Sequence, residues 1–272
     1  MRKPVILIAL ALSAAFAGSA QSAAPQDDAD TIIQRSVAVD AADSKAAPSY
    51  DYFERDQQPG GGTRTYEERM ILGSRYEKLV SINGEPLSPA SQAEQQDKLE
   101  AAIAKRRSES AQQRKERIAR YEKDRKRDQM MMEQLTKSMN FALVGEQKLN
   151  GYDVYVLKAT PRADYRPPNM ESQALRGMQG KLWIDKQTFQ WVKVEAQVIR
   201  PVSIEGFLAE VEPGTRFELE KMPVGDGVWL PKHFAMQSRA RVLFLFTRKS
   251  QDNETYYGYH KPTPTQASIG ER

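Results

Sequence analysis

The sequence predicts an α+β fold in which a curved antiparallel sheet is capped by helices and carries a long charged helical insertion. Three observations indicate this class. Short stretches alternate apolar and polar residues as strands do, and turn dipeptides such as Asn83-Gly84 separate them. The segment 90–139 has neither Gly nor Pro and is rich in the helix formers Gln, Glu, Lys and Arg.

Residues 1–20 have the features of a secretory signal peptide. Arg2 and Lys3 precede an apolar run (5–17), and small residues follow up to Ala20, after which we expect cleavage. The run is shorter than the roughly 20 residues of a transmembrane helix, and an uncleaved anchor is the alternative. The chain contains no cysteine that could be acylated or form a disulfide. We therefore expect a periplasmic protein that folds by core packing.

The charge of the chain argues against a nucleic-acid partner. The formal net charge is +4, and removing Arg2 and Lys3 with the signal peptide reduces it to +2. A charge this small supplies no electrostatic footprint for a phosphate backbone.

Segment 21–88 is predicted to supply the first helix and the first strands of the curved sheet. Asp28 or Asp30 caps a helix that continues to Ala42. Strands follow at 49–56, 63–72 and 75–82, and Asn83-Gly84 predicts a type I′ hairpin turn after them.

Segment 89–139 is predicted to be a charged helical insertion with one break. Its apolar residues are too sparse for a coiled coil. One interpretation is a solvated helix that protrudes from the body, and the other is a basic surface that binds a partner or touches a membrane. The partner-binding candidates are Arg114, Lys115, Arg117, Arg120 and Lys123.

Segment 140–260 returns to strands, and 261–272 is predicted to be a flexible tail. Asn150-Gly151 marks another hairpin, and the Pro-rich stretch 161–180 is a long loop whose role as a lid is left open. A long strand is predicted at 234–248.

The clearest pattern is the hairpin 180–198, GKLWIDKQTFQWVKVEAQV. Its turn is polar, and in its second strand Val192, Val194 and Val198 alternate with polar residues, which predicts one apolar and one solvent face. Trp191 is assigned to the polar side by the same alternation. Together with the strand YDVYVL at 152–157, this hairpin resembles the LolA/LolB/RseB-type periplasmic lipoprotein-binding superfamily.

The resemblance covers 140–260 well, whereas 28–82 matches the order of the first helix and strands only. It implies an open half-barrel whose apolar concave face accepts acyl chains, and the charged insertion at 89–139 departs from it. The residue pattern alone does not separate a ligand cavity from a packed core. The apolar-face candidates are Leu182, Ile184, Val192, Val194, Val198, Phe217, Leu219, Phe234, Met236, Val242 and Phe244.

We find no pattern typical of an enzyme. His233 and His260 are the only histidines, and the chain has no HExxH or GxSxG motif and no phosphate-binding loop at Gly60-Gly61-Gly62. We therefore expect no catalytic residue, metal or cofactor. The expected function is lipid or lipoprotein acyl-chain binding, with peripheral membrane contact as an option. The alternative is an envelope-sensing module that docks a partner protein through the charged helix.

Overall fold

The computed structural model describes residues 28–58, 60–204, 209–242 and 246–262. The predicted signal peptide (1–20), most of the predicted tail and Phe244 lie outside this part. In chain order the elements are α1 (Ala29–Ala46), a 3₁₀ turn (Ala47–Ser49), β1 (Asp51–Gln57), β2 (Thr63–Ile71), β3 (Ser74–Ile82), β4 (Glu85–Pro86), α2 (Pro89–Arg107), α3 (Ala111–Ser138), β5 (Met139–Leu149), β6 (Tyr152–Pro161), a 3₁₀ helix (Glu171–Gly177), β7 (Met178–Asp185), β8 (Trp191–Val198), β9 (Val202–Ile204), β10 (Ala209–Val211), β11 (Arg216–Gly225), β12 (Val228–Val242) and β13 (Phe246–His260).

The strands form one open antiparallel sheet in the order β4-β3-β2-β1-β13-β12-β11-β8-β7-β6-β5, with β9 and β10 attached beside β12. The pairing of β1 with β13 joins the N-terminal strands to the C-terminal ones. The predicted α+β class, an open antiparallel sheet capped by helices, is confirmed. None of the described helices has the length and apolar character needed to span a bilayer.

Two predicted hairpin turns have the backbone that their sequences require. Asn83 and Gly84 have φ values of 56° and 82°, and Asn150 and Gly151 have 51° and 88°. Both central residues of a type I′ turn need positive φ, which Asn and Gly adopt most readily. These turns set the registers of β3 with β4 and of β5 with β6.

Helix α1 crosses one face of the sheet and contacts both β5 and β12. It begins where Asp28 accepts a hydrogen bond from the Thr31 amide at 2.7 Å, so Asp28 is the N-cap. Ile32 and Ile33 are buried against the sheet. We call this side of the sheet the covered face and the opposite side the open face.

A buried carboxylate fixes the C-terminal end of α1. Asp43 accepts hydrogen bonds from the Trp229 amide at 3.1 Å and from Gln190 Nε2 at 3.3 Å. Lys221 Nζ lies 2.7 Å from Asp40 and 3.5 Å from Asp43. Burial raises the pKa of Asp43, and the charge of Lys221 acts in the opposite direction.

The charged insertion consists of two helices, α2 and α3, which are separated by one break. The break lies at Ser108–Ser110, where Ser110 and Gln113 form a capping box that starts α3. The insertion packs back on β3, where Leu99 is buried in a cluster with Ile71 and Leu72. This differs from the first of its two interpretations, a solvated helix that protrudes from the body.

Two arginines attach this insertion to the loop between β2 and β3. Arg106 donates to the carbonyl oxygens of Ile71 (2.8 Å), Ser74 (3.0 Å) and Arg75 (2.9 Å). Arg117 forms an ion pair with Glu109 at 2.7 Å and donates to Leu72 O at 3.0 Å. The guanidinium groups thus donate to four backbone carbonyl oxygens at the turn between β2 and β3.

A bulge changes the predicted facing of two residues in the hairpin 180–198. The register of β7 with β8 shifts between the pairs Trp183–Lys193 and Ile184–Trp191. As a result Trp191 packs in the core of the covered face with Val194, whereas Val192 packs on the open face. Strict alternation assigned both residues wrongly, because one extra residue in a strand reverses the facing of the residues beyond it.

The stretch 234–248, predicted as one long strand, belongs to two strands, β12 and β13. Val242 in β12 is paired with Phe246 in β13, so the chain reverses between them. Apolar residues on both sides of this stretch suggested a single continuous strand, and the pattern contains no Gly, Pro or Asn to mark the reversal.

We expect Arg106→Met to lower the free energy of unfolding by about 2–4 kcal/mol, because it leaves three carbonyl oxygens without their charged donor. Thermal or urea unfolding measures the change. Arg107→Met is the matched control, since Arg107 is the exposed neighbour on the same helix, and it should change stability by less than about 0.5 kcal/mol. Equal losses in the two variants would contradict the attachment described for Arg106.

Candidate functional site

The covered face has a packed half and a less packed half. Over β5–β8 its side chains form a continuous core with α1, the end of α3 and the 3₁₀ helix. Among the predicted ligand-binding residues, Leu182, Ile184, Val194 and Val198 belong to this core and are at most 3% exposed. For these four residues the structure shows packed core and not an open cavity.

The core continues toward the centre of the sheet as a row of less buried apolar side chains. Cross-strand pairing places Phe217 opposite Met236 and Leu219 opposite Phe234. All four are only half-buried, and Phe217 and Leu219 touch the packed core. We call Phe217, Leu219, Phe234 and Met236 the apolar strip. The strip is the part of the predicted apolar face that remains accessible.

The remaining predicted apolar residues do not join the strip. Val192 faces the open side, where it packs with Trp183 and Trp229. Val242 ends β12 opposite Phe246, but its side chain lies outside the described part, as does Phe244 altogether.

Beyond the apolar strip the covered face becomes acidic. Cross-strand pairing sets Asp56 of β1 opposite Glu254 of β13, and Glu254 is also opposite Phe234 of the strip. Glu54 is two residues from Asp56 on the same face, and carboxylate oxygens of Glu54, Asp56 and Glu254 lie within 4.8 Å of one another. Like charges directly opposite each other destabilise a sheet.

Aromatic and further acidic groups surround these carboxylates. Tyr52 is opposite Glu68 on β2, and its ring lies 5.9 Å from that of Tyr256 and 5.0 Å from that of Tyr259. Tyr256 donates its hydroxyl hydrogen bond to Glu254. We call the set Tyr52, Glu54, Asp56, Glu68, Glu254 and Tyr256 the acid–tyrosine cluster.

The three glutamates of the cluster hold their protons more tightly than free glutamate side chains do. Burial, followed by the charges of Glu68, Glu254 and Asp56, raises the pKa of Glu54 to about 8. Burial and Glu77 raise the pKa of Glu68 to about 7, with Arg75 acting in the opposite direction. Burial also raises the pKa of Glu254. In each case burial outweighs whatever cation lies nearby.

The open face carries a polar groove of about 720 Å³. A cross-strand row of Gln179, Gln197, Arg216, Gln237 and Gln251 lines it across β7, β8, β11, β12 and β13. These side chains supply amide and guanidinium groups, and Ala196, Phe217, Ala235 and Met236 also line the groove. Its mostly polar lining suits a polar ligand better than an acyl chain.

The predicted partner-binding residues divide into two kinds. Arg117 is used inside the protein, in its bonds to Glu109 and Leu72. Lys115, Arg120 and Lys123 are exposed on α3, and Arg114 is half-exposed. The exposed three form no ion pair with any other described residue.

The residue pattern did not identify the acid–tyrosine cluster. Its one sequence feature is a pair of acids at alternate positions, Glu54 and Asp56, in a predicted strand. That spacing puts two carboxylates on one face. The contribution of Glu254 depends on a pairing between the two ends of the chain, which no local pattern predicts.

Comparison with known proteins finds no matching family model and no matching curated protein. Solved structures do resemble the chain. A DUF1329 family protein from Desulfovibrio piger is 11% identical, with 91% of this chain and 98% of that chain covered and a TM-score of 0.33. A LolA superfamily protein from Nitrosomonas europaea is 12% identical, with 89% and 97% covered and a TM-score of 0.33.

A third resemblance is to the complex of MucA and MucB from Pseudomonas aeruginosa, at 12% identity, 86% and 96% coverage and a TM-score of 0.22. TM-scores this low place no individual residue of this chain in correspondence with those proteins.

We expect Glu254→Gln to raise the free energy of unfolding by about 0.5–1 kcal/mol in buffer without divalent cations, because it removes one of two opposed carboxylates. The amide oxygen can still accept the Tyr256 hydroxyl. Urea unfolding at pH 7.5 measures the change. Glu67→Gln is the control on the open face, where Glu67 lies 4.0 Å from Arg69, and it should not stabilise. Destabilisation by Glu254→Gln would contradict repulsion within the cluster.

Proposed function

We propose that this protein is a non-enzymatic periplasmic binding protein that takes up an acyl chain of a lipid or lipoprotein on its covered face. The apolar strip is the observation that supports the proposal. It adds four accessible large apolar side chains to the edge of a packed core, on a face that α1 shelters from solvent. Sheltered, accessible apolar surface of this kind is typical of ligand sites.

The strip has a suitable size and chemistry for one hydrocarbon chain. Its residues come from two neighbouring strands and stand in two opposed pairs, which gives a short apolar track on the sheet. Burying on the order of 200 Å² of apolar surface there contributes about 5 kcal/mol before the costs of association. Such binding needs no specific polar contact, in keeping with the apolar character of the strip.

We expect Phe234→Glu to weaken binding of a fluorescent acyl probe at least tenfold, because it places a carboxylate in the path of the hydrocarbon. Val144→Glu is the matched control. Val144 is 54% exposed on the edge strand β5, away from the strip, so this variant should bind the probe as the unchanged protein does. Probe titration by fluorescence measures both.

A second readout tests the proposal without a synthetic probe. Protein purified from a periplasm is extracted with organic solvent, and the extract and the intact protein are analysed by mass spectrometry. Co-purifying lipid that is lost in Phe234→Glu supports the proposal. The proposed function would be contradicted if no lipid co-purified and the unchanged protein also failed to bind acyl probes.

The alternative function is docking of an envelope protein through α3. It is favoured by Lys115, Arg120 and Lys123, three exposed cations that remain without ion pairs among the described residues. A surface of this kind fits an acidic segment of a partner. The packing of α2 and α3 on β3 holds it in a fixed position on the body of the protein.

We expect the triple variant Lys115→Glu, Arg120→Glu, Lys123→Glu to separate the two functions. An acyl-chain carrier should keep its probe affinity within about twofold, since α3 carries these charges away from the strip. A docking module should lose a partner that is cross-linked to the unchanged protein in the periplasm. Retention of the same cross-linked partner by the triple variant would exclude α3 as its docking surface.

A further inference from the structure

We propose that Glu54, Asp56 and Glu254 form a binding site for a hard divalent cation of the calcium type. The site lies on the covered face, where β1 and β13 pair. It is independent of acyl-chain binding, because none of its three ligands belongs to the apolar strip.

The first argument is the geometry of the oxygen atoms. One carboxylate oxygen from each of Glu54, Asp56 and Glu254 lies within 4.8 Å of the other two. Three oxygens at such separations surround a point that is no more than about 2.8 Å from each, close to the 2.3–2.6 Å that is usual for a Ca²⁺ ligand. Carboxylates also supply up to six oxygens between them, in the range that Ca²⁺ requires.

The second argument is a hydrogen-bond acceptor that no described residue satisfies. Asp56 Oδ1 is completely buried and has no hydrogen-bond partner among the described residues. Buried carboxylate oxygens without a partner are costly and rare in folded proteins. A bound cation would supply the missing interaction.

A third, independent observation comes from Glu68, which is 5% exposed. Glu68 is directly opposite Tyr52 on the same face as Glu54, yet it accepts no hydrogen bond and forms no ion pair in the part of the chain that the structure describes. A buried carboxylate of this kind adds negative potential beside the three proposed ligands without being one of them.

The neighbouring cations are engaged elsewhere. Arg75 donates to the carbonyl oxygens of Tyr50 at 2.7 Å and Ala47 at 3.2 Å, and its guanidinium lies 4.7 Å from the Tyr52 ring centre. Arg64, opposite Asp56 on β2, is exposed and forms no ion pair with it. Neither arginine neutralises the three carboxylates, which leaves room for an external cation.

The donor set indicates which cation fits. All three proposed ligands are carboxylates, and the hydroxyl of Tyr256 is bonded to one of them. Oxygen-only sites suit Ca²⁺ or Mg²⁺, whereas Zn²⁺ and Cu²⁺ favour nitrogen or sulfur. Carboxylates from two separate strands form an irregular set, which Ca²⁺ accepts more readily than octahedral Mg²⁺.

The test is thermal unfolding of the full protein, first dialysed against EDTA and then titrated with Ca²⁺. We expect the Tm to rise by about 5 °C at 5 mM Ca²⁺, and by less with the same concentration of Mg²⁺. Isothermal titration calorimetry should show saturable binding of one Ca²⁺. Glu54→Gln and Asp56→Asn should each abolish both effects, and because each removes a like charge, both variants should fold.

Glu67→Gln is the matched control, since Glu67 lies on the other face of β2 and should leave Ca²⁺ binding unchanged. The proposal is overturned if the unchanged protein binds no Ca²⁺, or if the Tm rise persists in both Glu54→Gln and Asp56→Asn. Saturable binding of spermidine without any response to Ca²⁺ would also overturn it and would assign the cluster to an organic amine. Acyl-probe binding by the Asp56→Asn variant shows separately whether the proposed function holds.

Discussion

The ladder between β1 and β13 is the interaction on which the rest of the structure depends. It joins two groups of strands that are otherwise connected only by local hairpins and helices. On its open face the rings of the paired residues Phe53 and Tyr257 stack 5.6 Å apart. A shift by one residue would turn every side chain to the other face. The same register therefore forces Asp56 against Glu254 on the covered face.

The covered face thus carries an apolar surface and an acidic surface side by side across neighbouring strands. The packed core over β5–β8 leads into the apolar strip on β11 and β12, and the acid–tyrosine cluster lies next to it on β13 and β1. Phe234 and Glu254 are direct cross-strand neighbours, so the two surfaces meet without a gap.

Much of the fold could be predicted from local chemistry, and much of the site could not. Asn83-Gly84, Asn150-Gly151 and the Asp28 cap act over a few residues, so their sequences were sufficient. The face of the sheet on which Val192 lies depends on a β-bulge that no residue of the sequence indicates. The docking of Arg106 and the carboxylates that Glu254 meets depend on contacts between distant segments. Alternation could identify an apolar face but not which of its residues a helix would bury.

The order of strands has a consequence for how the protein folds. Phe53 and Tyr257 are paired across about 200 residues of intervening chain, and contacts of such long sequence separation slow folding because loop-closure entropy is lost before they form. The hairpins of β2 with β3 and of β5 with β6 can form early, since their turns are local. Until β13 arrives, β1 has an unpaired edge that is prone to associate with other chains. Its acidic residues Glu54 and Asp56 then act as a deterrent, because two copies of this edge would bring like charges together.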